Sequence, residues 1–431
     1  MSLLSLPAEL FDSLVATILS TPPHLLLLAF LALSLSAFLA FYLALHAVAP
    51  KPRPVLPSEK TYRTTDPNGA VVTRQLPCWY DRWLVQRQIN EKAPIGDVSG
   101  PAGLDGARVP DTGSIEPAEL AMSVVVPAYN EELRMLPALQ EMVDYLDARF
   151  GRPGQGNSNK KAAGAAKPSS RPGTPNRHAH RHRVPDEEDV TGYEIIIVND
   201  GSRDRTVDVA LEFARKNDLH DVIRVVTLEK NRGKGGAVTH GFRHVRGRYA
   251  AFADADGASK FSYLGNLVAG CNEVLDGANR GVAIGSRGHL VGSEAVVKRS
   301  ALRNFLMKAF HFVLMILTPP ATSRLSDTQC GFKLFSRAAL PHIIPYMHSE
   351  GWIFDIEMLM LAESAPASLV LDDEGATIGR SPGIRVAEVP IDWHEVEGSK
   401  LNVLQDSIKM ALGLTILRAS WMFGVYRRRM I

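Results

Sequence analysis

Residues 193–206 read YEIIIVNDGSRDRT, an almost unbroken apolar run that stops at an Asp-Gly pair and turns polar. A run of Ile and Val without alternation is the pattern of a strand covered on both faces, as in a parallel sheet. Asp204 then sits where a helix N-cap belongs, and Val207, Ala210, Leu211 and Ala214 follow on one helical face. The stretch therefore predicts strand, tight turn and helix. The pattern recurs outward. SVVVP at 123–127 precedes a helix with Leu136, Leu139, Val143, Leu146 and Phe150 at steps of three and four, and VIRVVTL and RYAAFADAD supply two more strands. Buried strands separated by amphipathic helices predict an α/β fold, a mostly parallel sheet sandwiched by helices, with ligands bound beyond the carboxyl ends of the strands.

The polar motifs fall at those ends. After the fourth run, Asp254 and Asp256 in ADADG are two apart, so in an extended chain they project to one side. Two carboxylates that close call for a cation, and oxygen donors suit Mg²⁺ or Mn²⁺. The competing reading is a turn in which Gly257 supplies a positive φ. The first strand ends in Pro127, Tyr129, Asn130 and Glu131, an aromatic face beside hydrogen-bonding groups. Asp200 closes the 193–199 strand, where a carboxylate can accept from a uracil N3–H or a ribose hydroxyl. EKNRGKGGAV, carrying Arg232 and Lys234, is a glycine-rich helix entry suited to an anion. It is neither a Walker A loop, because Gly235 follows Lys234, nor a dinucleotide fingerprint, because Val238 stands in place of the last glycine.

The 431 residues are 45% hydrophobic and 22% charged with a net charge of +2, enough to bury a full core and too neutral for a whole-molecule field that attracts nucleic acid. Cys78, Cys271 and Cys330 fit no zinc spacing and leave an odd thiol, so no disulfide framework is expected. Residues 24–48 carry no formal charge and can cross a hydrocarbon core of about 30 Å as a helix. A cleaved signal peptide is the rival, disfavoured by the length of the run and by the lack of a preceding Lys or Arg. Glu9 and Asp12 precede this segment, whereas Lys51, Arg53, Lys60 and Arg63 follow it, which places the remainder in the cytosol and residues 1–23 in the lumen. Residues 49–118 read as a linker, part of it Gly/Pro-rich, and 119–400 as the α/β domain. Within that domain 151–190 reads as a disordered insertion whose HAHRHR tract is taken as solvated. Residues 401–431 read as an amphipathic helix with a basic end, its stripe being Leu404, Ile408, Leu412 and Ile416. It either packs on the domain or lies on lipid headgroups.

In order along the chain, SVVVPAYNEE, IVNDGSRDRT, NRGKGGAV, ADADGA, GSRGHL, DTQCGFKLF, WIFDIEML and EGSKL resemble the family-2 glycosyltransferases of the GT-A fold over roughly residues 120–425. The resemblance is strongest to members that transfer glucose from UDP-glucose to dolichyl phosphate for N-glycosylation at the endoplasmic reticulum. It implies that Pro127, Tyr129, Glu131 and Asp200 hold the uridine, that Asp254 and Asp256 hold Mg²⁺ or Mn²⁺ on the diphosphate, and that Lys234 contacts the phosphates. Asn199 departs from the pattern, standing where the family usually has an aspartate.

A lipid phosphate monoester has a second pKa near about 6, so it is ionised at cytosolic pH and needs cationic guidance rather than a base. Arg287, Lys298, Arg299 and Arg303 precede FLMKAFHFVLMILTPP, a stretch too short to span comfortably, and fit an interfacial helix that presents Arg287, Arg299 and Arg303 to the acceptor phosphate. The expected chemistry is one in-line displacement with inversion. Asp355 and Glu357 are expected at the reacting centre, positioning sugar or acceptor, and His394 and Lys400 as residues that close the site. The alternatives are transfer from GDP-mannose to the same lipid and a membrane-tethered protein that binds nucleotide sugar without catalysis.

Overall fold

The computed structural model describes residues 16–17, 19–92, 115–153, 190–290, 312–371, 376–394, 396 and 403–426. It divides into two units. One holds the N-terminal apolar helix and the segment from Thr415, the other Pro50–Leu414.

In the first unit, α1 (Pro23–Val48) is 26 residues long, long and apolar enough to cross a membrane. At 1.5 Å per residue it measures about 39 Å. Phe423 packs edge-on against Phe38 and Phe41, with ring centroids 5.9 and 5.2 Å apart.

The second unit is built on a nine-stranded sheet. Its strands are β1 (Thr61–Thr65), β2 (Val71–Gln75), β3 (Leu120–Ala128), β4 (Tyr193–Asn199), β5 (Ile223–Thr227), β6 (Gly247–Ala253), β7 (Val282–Ser286), β8 (Phe332–Ser336) and, after the small hairpin β9 (Ser368–Leu371) and β10 (Thr377–Ser381), β11 (Val386–Pro390). The order is β11-β7-β8-β6-β3-β4-β5-β1-β2. β6, β3, β4 and β5 run parallel, as the apolar runs predict, and β7 and β11 form a second parallel pair. β8 inserts antiparallel between β6 and β7, and β1 pairs antiparallel with β5. Every residue of β4 is buried. Its Ile and Val side chains each contribute about 1.5–3 kcal/mol by leaving water. The one charge inside β4, Glu194, is balanced by Arg224 at 3.2 Å and Arg246 at 2.9 Å.

One expectation changes here. Residues 49–118 are not simply a linker, because β1 and β2 extend the sheet and α2 (Trp79–Lys92) follows them, with the buried Trp79 indole donating to the Phe242 carbonyl at 2.7 Å. The polar sequence TYRTT hides β1, which is ordered by its antiparallel ladder with β2 and its pairing with β5 at Arg63 and Val225 rather than by an apolar pattern of its own.

Helices α3 (Met135–Phe150), α4 (Thr206–Lys216), α5 (Lys234–Phe242), α6 (Leu264–Glu273) and α7 (Phe354–Glu363) are the main helices of this unit. α3 buries Leu139, Val143 and Leu146 but leaves Leu136 exposed. In the C-terminal helix α8 (Val403–Met422), Ile408 and Leu412 of the stripe read from spacing are each 60% exposed, while Leu414, Leu417 and Trp421 are buried. Within the second unit Met410 receives the Gln329 amide at 3.7 Å and Gly413 lies against Ile353, so this half of α8 packs on the domain.

Candidate active site

Because β3, β4, β5 and β6 are parallel, their carboxyl ends lie along one edge of the sheet, and each is followed there by a polar segment. β6 ends at Ala253, so Asp254 leaves the strand and Asp256 sits in the turn that follows, with Gly257 at φ +71°. The extended-chain geometry expected for this pair is therefore replaced by a turn. Each carboxylate is balanced separately. Lys234 Nζ, from the first residue of α5, lies 2.5 Å from Asp254 Oδ1, and Arg134 Nη1 lies 3.9 Å from Asp256 Oδ2. Burial works to lower the Lys234 pKa, but Asp254, Asp355 and Asp256 together raise it, so the ammonium is firmly held. Gly331 abuts Asp254 so closely that a Cβ there would come within 2.0 Å of Oδ2.

Among the described residues no three His, Cys, Asp or Glu side chains converge as a complete metal site. Asp254 and Asp256 offer oxygen donors only and keep 33% and 26% of their side-chain surface, a set that fits a hard divalent ion whose other ligands are water and substrate oxygens.

Asp200 is buried at the end of β4. Its Oδ1 accepts the Arg232 N–H at 2.6 Å and its Oδ2 the Gly233 N–H at 2.9 Å, so this carboxylate shapes the glycine-rich loop. Burial pushes its pKa up to about 6, against the pull of those two amides and of Arg53. Asn199 uses its side chain locally, accepting the Ser202 N–H at 3.0 Å. Pro127 and Tyr129 are half-buried where β3 ends. Both Glu131 oxygens receive the Arg134 guanidinium, at 2.8 and 2.6 Å. Arg134 thus joins Glu131 to Asp256, a role that its position in the helix entry EELRML does not announce.

Beneath this edge lies a buried pair that spacing does not reveal. Lys333 Nζ, on β8, is 2.5 Å from Asp355 Oδ1 on α7, donates to the Cys330 carbonyl at 2.6 Å and lies over the Phe252 ring. Burial raises the Asp355 pKa, with Lys333 and Lys234 opposing it. Glu357 is placed differently from Asp355. It is fully buried, and its oxygens accept the backbone N–H groups of His348 and Ser349 at 2.7–3.0 Å, so it holds a loop rather than facing substrate.

Arg287 follows β7 and is engaged by Asp327, through Nε at 2.6 Å and Nη2 at 2.9 Å, while stacking over the Trp393 ring. Burial would lower its pKa, and Asp327 raises it instead. Ser259 bridges to Trp393, the His394 N–H donates to the Ala258 carbonyl at 3.0 Å, and the His394 side chain is exposed. These contacts bring the 393–394 segment to the acidic turn. Arg299, Arg303, Lys298 and Lys400, the HAHRHR tract and most of the interfacial stretch lie outside the described residues. Of that stretch, Phe312, Met315 and Ile316 are exposed and Leu314 is buried.

Residues 186–340 match the model of the family described as Glycosyl transferase family 2. The dolichyl-phosphate beta-glucosyltransferase of Saccharomyces cerevisiae is 34% identical over 406 residues, covering 92% of this chain and 94% of the yeast protein. The human protein of the same name is 34% identical over 307 residues, 71% and 77% of the two chains. A Mycobacterium tuberculosis glucosyl-3-phosphoglycerate synthase solved with Mg²⁺ and UDP superposes with a TM-score of 0.39 at 15% identity, over 69% of this chain and 79% of that one. On the strength of the near end-to-end yeast match, the chain belongs to glycosyltransferase family 2, among the dolichyl-phosphate β-glucosyltransferases.

Proposed function

We propose that this protein transfers glucose from UDP-glucose to dolichyl phosphate with inversion, yielding dolichyl β-D-glucosyl phosphate for N-glycosylation. It is held in the endoplasmic reticulum membrane by α1, with the catalytic unit in the cytosol. The observation that carries this reading is the match along nearly the whole length of the yeast enzyme. The strand-end cluster of Asp200, Lys234, Asp254 and Asp256 supports it, and the basic residues Lys51, Arg53, Lys60 and Arg63 after α1 support the orientation.

In this reading the edges of β3 and β4 receive the uridine, through Pro127, Tyr129 and Asp200, while Lys234 and the loop amides face the diphosphate. Asp254 and Asp256 would hold Mg²⁺ or Mn²⁺, which when bound stabilises the charge of the departing UDP. Glu131 acts one step removed, by orienting Arg134. The acceptor phosphate is already an anion, and the surroundings of Asp355 and Glu357 agree with a reaction that takes no proton through protein. Asp355 is closed off by Lys333, and Glu357 is occupied by two backbone amides.

The deciding experiment is incubation of the purified full-length chain with dolichyl phosphate and either labelled UDP-glucose or labelled GDP-mannose. Glucolipid from UDP-glucose alone is expected. Mannolipid would establish the alternative donor, and binding without product would establish a non-catalytic protein.

Arg287 is assigned to the acceptor because, among the described residues, its guanidinium pairs with Asp327 through Nε and Nη2 only. Losing a charge-assisted hydrogen bond costs about 1.5–3 kcal/mol. Arg287→Ala should therefore raise the dolichyl phosphate KM by about tenfold or more and leave the UDP-glucose KM within about twofold. Unchanged acceptor kinetics would remove the assignment.

Asp200 gives a pH prediction. Its folded-state pKa of about 6 lies above the ordinary 3.8, so the folded chain holds this proton more tightly than the unfolded chain. Its contribution to stability is greatest below about pH 4 and declines as pH rises through 6. Donor binding should run the other way, because only the ionised carboxylate accepts from both loop amides. The UDP-glucose KM should rise as pH falls through about 6, and Asp200→Asn should abolish that inflection. An identical pH profile in the variant would refute the prediction.

A further inference from the structure

The segment that leaves the apolar helix, Pro50–Lys60, does not pass the glycine-rich loop at a distance. The Arg53 N–H and Nε donate to Glu350 Oε1 and Oε2 at 3.2 and 2.9 Å, and Arg53 Nη2 donates to the Asn231 carbonyl at 2.8 Å. Arg232 meets the same carboxylate from the loop side, Nε at 2.9 Å and Nη2 at 2.8 Å from Oε1. It also donates to the Arg53 carbonyl and lies 3.4 Å from Glu59. Glu350 grips the loop through its main chain as well. Its carbonyl accepts the Gly236 N–H at 3.1 Å, and Gly233, at φ +81°, approaches that carbonyl so closely that a Cβ would lie 2.6 Å from it. Two residues beyond Arg232, Lys234 reaches Asp254.

Glycine-rich backbone loses the most conformational freedom on ordering. A loop that must wrap a diphosphate binds it better when the ordering precedes the ligand. The Arg232 and Glu350 side chains keep only 5% and 17% of their surface, so their charge-assisted bonds are poorly screened, whereas Arg53 keeps 45%. Glu350 is itself fixed from behind, since Glu357 anchors the two preceding residues, His348 and Ser349.

We propose that Glu350 is a positioning residue for the donor. It clamps the glycine-rich loop to the juxtamembrane segment, so that affinity for the nucleoside diphosphate depends on Arg53, five residues beyond the membrane helix. The inference rests on the assignment of residues 232–236 to the donor diphosphate. Glu350 touches no substrate and acts only through the loop.

The test uses the full-length protein in detergent, with UDP binding as the first readout and steady-state kinetics as the second. Glu350→Gln is expected to weaken UDP binding and raise the UDP-glucose KM by about tenfold. The kcat at saturating donor should stay within about threefold and the dolichyl phosphate KM should be unchanged. Glu350→Asp should restore part of the loss, and Arg53→Ala should shift UDP affinity two- to fivefold in the same direction. Arg53→Ala keeps the test alive should Glu350→Gln fold poorly, because that side chain is far more exposed than Glu350. Glu363→Gln is the control for a merely structural effect. Glu363 holds the Ala321 and Thr322 amides at 2.8 and 2.7 Å, and its loss should lower thermal stability without moving UDP affinity. Equal UDP affinity in wild type, Glu350→Gln and Arg53→Ala would overturn the positioning role and leave the transferase reading intact. The expected UDP shift in a protein that makes no glycolipid would support the clamp and overturn the transferase reading.

Discussion

Asp254→Asn is expected to cut glucosyl transfer by about 10²–10³-fold, the loss typical when one preorganised group facing transition-state charge is removed. The fold should survive. Asn copies the shape of the carboxylate, which matters because Gly331 leaves no room for anything larger beside it. What disappears is the negative charge, and with it both the ion-pair partner of Lys234 and one of the two anionic carboxylates available to a divalent ion. Lys234, still facing Asp355 and Asp256, would continue to attract the donor diphosphate, so donor affinity should change much less than turnover. The comparison is initial rates with saturating UDP-glucose and dolichyl phosphate, alongside thermal melting and UDP binding of the same preparation. A rate within about fivefold of wild type, with UDP still bound, would show that Asp254 does not serve the departing diphosphate.

The parts of this site that were legible in the sequence are those made by neighbours in the chain. Ile195–Val198 announce a buried strand, and whatever follows such a strand in a parallel sheet reaches the ligand edge, which is how Asp200, Lys234, Asp254 and Asp256 could be named. The missed parts are made by partners far apart in sequence. Nothing local marks Lys333 as the partner of Asp355, 22 residues away, or Glu350 as the partner of Arg53, 297 residues away. Arg134 looks like an ordinary helix-entry arginine until Asp256 is placed beside it. Glu357 shared a motif with Asp355, but successive side chains on a helix diverge by about 100° each. Two residues on, the second carboxylate points away from the first and serves the loop at 348–349. On α8, spacing identified an apolar stripe but could not say which side the domain occupies, and Met410, Gly413 and Leu414 took the inner face instead. β1 carried no apolar run, since it lies between β5 and β2 and gains its order from cross-strand hydrogen bonds.

Lys333 and Asp355 give the second large effect, this time on stability as well as rate. Their side chains keep 0% and 5% of their surface, and removing one partner leaves the other charge, or its cost of neutralisation, inside the core. Such single removals cost about 3–5 kcal/mol. Lys333→Met and Asp355→Asn should each lower the melting temperature by about 10 °C. Met fills the volume of the lysine stem against Phe252, so the loss in that variant is electrostatic rather than a cavity. Replacing both, Lys333→Met with Asp355→Leu, removes the pair together, and an apolar pair of similar volume often matches a buried ion pair in stability. The double variant should therefore melt within a few degrees of wild type. Its activity should not return, because Asp355 is also one of the acids that hold Lys234 charged beside Asp254. Transfer in the double variant is expected to remain at least about tenfold below wild type, with the deficit in turnover rather than in acceptor KM. Full activity in a stable double variant would make the pair a packing element only. A double variant as unstable as the singles would place the loss in shape rather than in charge.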